Sequence, residues 1–252
     1  MAERVVLSWS GGKDSALALH ELSRSGDYEV AALLTTITEG TERVGMHAVP
    51  RELVVAQSEA LGVPLKEIRM PPFPPNDVYE ARMRSVLEEY AAQGIRRVGF
   101  GDLFLEDIRS YREQSLARVG MRGLYPIWKR DTAALAREFV ALGFRAVLVC
   151  VDLRVLDRSF AGRLLDERLL ADLPAGVDPC GENGESHTFV FDGPGFRNPV
   201  AFVLHGSVVG EPRLGPDSSP STAARLPDHT PSESTSESTF ESTFAYCDLR
   251  VP

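Results

Sequence analysis

The sequence predicts an α/β fold: a doubly wound parallel sheet followed by a smaller C-terminal α+β lobe. Three observations predict it. Short β-branched runs alternate with longer helical patterns from residue 4 to about residue 151, glycines close several of those helices, and 43% of the 252 residues are apolar, enough for a large buried core. Beyond about residue 152 the alternation gives way to strand candidates punctuated by Gly and Pro. The expected division is therefore a first domain over 1–152 and a smaller lobe over 153–252.

The elements follow in order. Residues 4–8 read as a strand, 15–24 as a helix stopped by Gly26, and 29–36 as a second strand. A helix over 51–61 is closed by Gly62, a strand follows at 65–70, and a helix capped by Asn76 runs to Gln93. Residues 96–100 are a strand, Asp131 caps a helix to about Leu142, and 145–151 is a nearly continuous apolar strand. This succession predicts parallel strands with helices on both faces. In the lobe, an amphipathic helix is expected at 162–170 and strands at 187–191 and 199–209. From about 211 to 243 the chain is rich in Ser, Thr, Pro and acids, with Glu-Ser-Thr recurring every four residues from Glu233. So little apolar surface predicts a disordered insertion, and the apolar residues from Phe244 onward make it a long loop rather than a free tail.

Composition narrows the function. A formal charge of −9 argues against general nucleic-acid binding. Cys150, Cys180 and Cys247 are far apart and form no CxxC pair, so no disulfide framework and no sequence-local zinc site is expected. No apolar run approaches the ~20 residues that span a bilayer, and the amino terminus does not read as a signal peptide; a cytoplasmic protein is expected.

The strongest local signal is Ser10-Gly11-Gly12-Lys13-Asp14-Ser15, placed after the first strand and before the first helix. Two glycines allow a sharp turn and close approach, while the helix start presents N–H groups and a dipole that favour an anion. Phosphate is the expected guest. The spacing is neither the GxxxxGK[ST] of a Walker loop nor the GxGxxG of a dinucleotide fold, so the motif does not predict a transferred γ-phosphoryl or a nicotinamide. An ordinary glycine turn is the plain alternative, against which stand Lys13, Asp14 and two serines at the mouth.

The motif resembles the PP-loop, SGGxDS, of the ATP pyrophosphatases. Further stretches resemble one branch of that superfamily, the diphthine–ammonia ligase family: Met46-His47, the segment from Gly99 to Glu113, Leu124-Tyr125-Pro126-Ile127-Trp128, and Cys180-Gly181-Glu182-Asn183-Gly184-Glu185-Ser186-His187-Thr188-Phe189. Ser186 stands where that family usually has an aromatic residue. The resemblance implies a HUP-type fold and a PP-loop that grips the outer phosphates of ATP. On it, Ser8, Ser10, Gly11, Gly12, Lys13, Asp14, Ser15, His47, Gly101 and Asp102 are expected to bind nucleotide, with Asp14 and Asp102 as Mg²⁺ ligands.

Asp102 lies at the carboxyl end of a predicted parallel strand, where ligands bind in open α/β sheets; the alternative is a turn Asp capping the next helix. Arg112 is either a transition-state cation for departing pyrophosphate or part of a solvated salt-bridged face, and the latter reading is preferred for Glu106, Arg109 and Glu113. Glu182, Glu185 and His187 are candidates to attract ammonium and accept its proton, against an acidic surface turn and a structural histidine. Tyr125 and Trp128 are expected in the core, although an aromatic wall would suit a quaternary ammonium. His47 either reaches the nucleotide or caps its loop.

The implied chemistry is carboxylate activation. A substrate carboxylate attacks the α-phosphorus of ATP, pyrophosphate leaves into the PP-loop, and free ammonium supplies the nitrogen that displaces AMP. Catalytic roles are expected for Asp14, Glu182, Glu185, His187 and Arg112. In the family the substrate is diphthine on elongation factor 2; another carboxylate is the alternative. A PP-loop tRNA-modifying enzyme and a non-catalytic ATP-binding regulator remain as other readings.

Overall fold

The computed structural model describes residues 2–45, 49–209 and 244–252. Five strands form the parallel part of the first sheet: β1 (Glu3–Ser8), β2 (Tyr28–Thr38), β5 (Leu65–Met70), β6 (Arg97–Gly99) and β7 (Arg122–Leu124). They run in the order β5-β2-β1-β6-β7, and two short strands, β3 (Arg43–Val44) and β4 (Val49–Pro50), extend the far end of β2 in antiparallel fashion. The chain therefore winds outward from β1 to β5 and restarts at β6 on the other side. That reversal opens a crevice at the carboxyl ends of β1 and β6, the place where such sheets bind ligands.

Helices cover both faces, as the alternation predicts. On one face, α1 (Lys13–Ser25) and α2 (Arg51–Leu61) bury Leu17, Leu53 and Val54 against Leu7, Leu33 and Ile37. On the other, α3 (Asn76–Ala92) and α4 (Glu106–Ala117) bury Val86, Leu87 and Leu116 against Val6, Leu34, Ile68 and Val98. Gly26 and Gly62 end α1 and α2 in left-handed conformations, the role their positions predict. Asn76 is not the cap of α3 but its first residue. Pro75 precedes it, and no side chain caps this helix.

The main departure from expectation is the apolar strand β8 (Arg145–Asp152), which follows α5 (Thr132–Ala141). β8 does not continue the parallel sheet. It pairs antiparallel with β9 (Ser186–Asp192) and β11 (Phe244–Arg250), and β11 with β10 (Val203–Val209), in a second sheet ordered β10-β11-β8-β9. A continuous apolar run fits any strand buried on both faces, so its pattern carries no information about direction. Asp131 does cap α5, its carboxylate accepting the Ala134 N–H at 2.7 Å.

The expected helix at 162–170 is also corrected. Residues 162–165 lie alongside β8, with Leu148 N–H donating to the Arg163 carbonyl and Leu165 N–H to that of Ala146, both at 2.9 Å. Helix α6 (Glu167–Asp172) starts only where the Asp166 carboxylate accepts the Leu169 N–H at 2.8 Å. The sheet edge outcompetes helix propensity until a capping residue arrives. His47 and the 211–243 stretch lie outside the described residues. No described helix is long and apolar enough to cross a membrane.

Candidate nucleotide and ammonia site

The glycine turn joins β1 to α1 at the crevice. Gly12 is the N-cap of α1 and no side-chain hydrogen bond caps it, so the first turn presents amides that have no acceptor within the helix. Gly11 has φ +79°, and a Cβ there would fall 2.7 Å from Gln57 Oε1. The turn thus requires glycine on both conformational and steric grounds.

Three groups hold the turn in place. Gln57 of α2 donates from Nε2 to the carbonyl oxygens of Gly11, at 3.0 Å, and Val190, while its Oε1 accepts the Trp9 indole N–H at 2.9 Å. Val190 N–H donates to the Gly11 carbonyl at 2.9 Å, and Thr188 Oγ1 accepts the Lys13 N–H at 3.0 Å. Strand β9 of the second sheet therefore lies directly on the glycine turn of the first. Gln57 and Thr188 escaped the sequence reading as site residues. The available signal was a glutamine on the buried stripe of an amphipathic helix, which in isolation looks like a boundary residue.

Lys13 is where two distant segments meet. Its ammonium bonds both Asp14 carboxylate oxygens at 2.9 Å and also the carbonyl of Cys180, at the start of the CGENGES segment. Burial pulls its pKa down, but Asp14, Cys180 and Glu182 outweigh that and hold it above the ordinary lysine value. Ser10 accepts the Gly12 N–H at 3.2 Å, and Ser15 donates to the Gly12 carbonyl at 2.9 Å. Ser8 ends β1 and is half-buried.

From β6, Gly101 and Asp102 close the other side. A Cβ on Gly101 would lie 2.6 Å from the Asp14 carbonyl carbon, so the loop after β6 touches the first turn of α1 backbone to backbone. Asp102 pairs with Arg112 of α4, Nε to Oδ2 at 2.9 Å, and the Arg112 guanidinium lies 4.4 Å from the Phe100 ring centre. Burial raises the Asp102 pKa and Asp14 adds to it, while Arg112 opposes both. Arg112 is thus tied to Asp102 rather than to the solvated face of its helix.

The CGENGES segment supplies two carboxylates in different states. Glu185 is buried and saturated, accepting the N–H groups of Asp178 at 3.1 Å and Asn183 at 2.9 Å together with the Asn183 side-chain amide at 2.8 Å. Burial pushes its pKa up, but these bonds prevail and keep it below the usual carboxylate value. Glu182 has its pKa pushed up to about 7, first by burial and then by Asp14, with Lys13 opposing. Near neutral pH it exchanges a proton readily.

His187 pairs across strands with Cys150, yet the two are in the wrong states for nucleophilic catalysis. Burial holds the thiol up at about 12 and the imidazole down at about 4, the reverse of a thiolate–imidazolium pair.

Along α4 the outcome differs from the expected salt-bridged face. Arg109 stacks 4.5 Å over the Tyr125 ring centre and 4.7 Å over that of Trp128. Glu113 accepts the Gly123 N–H at 3.4 Å, and Glu106 alone behaves as expected, pairing with Lys129 at 2.7 Å. Tyr125 and Trp128 are half-buried rather than core residues; the core tryptophan is Trp9, 2% exposed.

For Mg²⁺, no group of three or more His, Cys, Asp or Glu side chains converges among the described residues. Mg²⁺ bound with phosphates takes only one or two protein carboxylates, and Asp14 and Asp102, close enough that Asp14 raises the cost of ionising Asp102, fit that requirement.

Two family profiles match the chain: the diphthamide synthase N-terminal domain over residues 3–123 and the diphthamide synthase C-terminal domain over 131–205. Curated relatives called diphthine–ammonia ligase align with most of it. The Danio rerio protein is 28% identical over 230 residues, 82% of this chain and 89% of the relative. The Homo sapiens protein is 27% identical over 224 residues, 78% and 82% respectively. The Schizosaccharomyces pombe protein is 26% identical over 213 residues, 77% of this chain but 35% of that longer relative. With profiles covering both halves and the glycine turn meeting the CGENGES segment at Lys13, the chain belongs to the diphthamide synthase family.

Proposed function

We propose that the protein is an ATP-dependent amide-forming ligase of the diphthine–ammonia ligase type. The observation that carries the reading is the convergence on Lys13, whose ammonium reaches Asp14 of the turn and the Cys180 carbonyl of the CGENGES segment. This contact supports a reading in which the glycine turn cradles phosphate and Glu182 works in the same crevice.

In this reading the substrate carboxylate attacks the α-phosphorus of ATP. The departing pyrophosphate is received by the amides at the start of α1, by Lys13 and by the serines of the turn. Asp14 and Asp102 would hold Mg²⁺, which would offset phosphate charge. Arg112 adds positive charge beside Asp102. Glu182 takes a proton from ammonium, so that ammonia attacks the acyl-adenylate and AMP leaves. Glu185 and His187 position this segment: Glu185 fixes the loop that carries Glu182, and His187 anchors the start of β9. Free ammonium is the nitrogen donor, and the acceptor is a diphthine-bearing protein, elongation factor 2.

The test is pyrophosphate release with ATP, Mg²⁺, ammonium and diphthine-bearing elongation factor 2. Release that requires the modified acceptor supports the reading. ADP as product, or release independent of any carboxylate, overturns it.

A further inference from the structure

Arg109 occupies an unusual place for a helix-surface cation. Its guanidinium lies between two half-buried rings, Tyr125 and Trp128, whose centres are 5.7 Å apart in an edge-on arrangement. Among the described residues it forms no ion pair, in contrast to Arg112 one turn later, which is tied to Asp102. The two rings are the groups its guanidinium stacks on, with Glu106 acting on its charge from farther off.

The wall is joined to the nucleotide crevice. Tyr125 stacks on Phe100 at 5.5 Å with an interplanar angle of 21°, and Phe100 in turn carries the Arg112 guanidinium that pairs with Asp102. Tyr125 and Trp128 follow the carboxyl end of β7, the neighbour of β6, so they share the edge of the sheet with Asp102.

We propose that the Tyr125–Trp128 wall is the recognition site for a quaternary ammonium on the substrate, and that Arg109 is its internal stand-in, displaced when substrate binds. This rests on the ligase reading for its substrate: diphthine carries a trimethylammonium on the carbon that bears the reacting carboxylate. A cation site one bond from the reacting group belongs beside the adenylation site. Methylated ammonium is bulky and weakly hydrated and makes no hydrogen bonds, so ring faces recognise it where carboxylates do not discriminate. A guanidinium is the natural occupant of the same faces in the free protein. The bound side chain lowers the affinity for any competing cation and excludes unmethylated amines, which desolvate less readily.

Two measurements test this on the full chain. In the first, tetramethylammonium is titrated against the protein and read by Trp128 emission, with Trp128→Leu as the blank for buried Trp9 and tert-butanol as the neutral isostere. Arg109→Gln is expected to bind tetramethylammonium about fivefold tighter than wild type, with no response to tert-butanol. Equal affinity in the two proteins, or an equal response to the isostere, overturns the proposal. In the second, Trp128→Leu raises KM for the diphthine-bearing acceptor about tenfold. It leaves kcat and the KM for ATP within about twofold, and Trp128→Phe restores most of the loss. An unchanged acceptor KM, or a fall in kcat together with a change in ATP KM, overturns it. If wild type releases no pyrophosphate with the acceptor, the ligase reading fails while the first measurement still decides whether the wall binds a quaternary cation.

Discussion

Gln57 and Gly11 are joined by a hydrogen bond of 3.0 Å from the Gln57 side-chain amide to the Gly11 carbonyl, and that amide also reaches the Val190 carbonyl. One residue of α2 thus fastens the glycine turn of one sheet to an edge strand of the other. The Trp9 indole N–H fixes which end of the amide is oxygen, since it needs an acceptor and the two carbonyls need a donor. Gln57→Leu takes this partner from the Trp9 indole N–H and the Val190 carbonyl in a fully buried place, and leaves the Gly11 carbonyl with the Val190 N–H alone. A loss of about 1–3 kcal/mol in stability is expected, with a raised KM for ATP. Urea unfolding and ATP titration read the two effects, and a variant with unchanged ATP affinity would show that the clamp is only structural.

Gly101→Ala separates the site from the fold. Its Cβ would meet the Asp14 carbonyl carbon at 2.6 Å, backbone against backbone, so the loop after β6 or the start of α1 must move. Gly101 lies outside the regular strands, and the expected result is at least a tenfold weaker affinity for ATP, because in the proposed site turn geometry would set every amide contact to phosphate. Isothermal titration with a non-hydrolysable ATP analogue measures it. Undiminished binding would place the nucleotide elsewhere.

How much of this was legible beforehand depends on what kind of information each feature carries. The turn at 10–15 and the carboxyl end of β6 are local: strand, glycines and helix start are contiguous, and the sequence pattern states them directly. The strand direction of β8 is not local, because an apolar run is equally suited to either sheet. Gln57 and Thr188 became visible only when chain segments 46 and 175 residues away from their partners were brought together. Arg109 was misread for the same reason: its spacing to Glu106 and Glu113 suggests a helical ion-pair face, whereas its partners come from the loop after β7.

Glu182 predicts a pH dependence of the ammonia step. With its carboxyl pushed up to about 7, the residue is largely protonated in mildly acidic solution and becomes a competent base as pH rises through neutrality. The acidic limb of kcat/KM for ammonium should bend near that value. Glu182→Gln, which cannot accept the proton, should lower the rate by about a hundredfold or more and remove the bend, while adenylation measured as pyrophosphate–ATP exchange persists. A variant that keeps the bend would assign it to another group.

His187 provides a stability test whose sign is opposite to that of a paired histidine. Burial, with a smaller contribution from Lys13, holds its pKa at about 4 in the folded protein, against 6.5 for an ordinary histidine. Between those values the unfolded chain binds the proton and the folded one does not, so stability rises with pH across the interval and falls as solutions are acidified through it. Taking the protein from pH 7.5 to pH 5 should cost about 2 kcal/mol through this residue, following about 1.4 kcal/mol per pH unit below the unfolded value. His187→Gln removes the ionisable group, and the comparison is between the two proteins at both pH values, so other titrating groups cancel. Urea denaturation curves should converge toward acid, the variant losing less than wild type. Parallel losses would mean that the imidazole is accessible to protons in the folded state, and with it that the β9 end of the cradle opens to water.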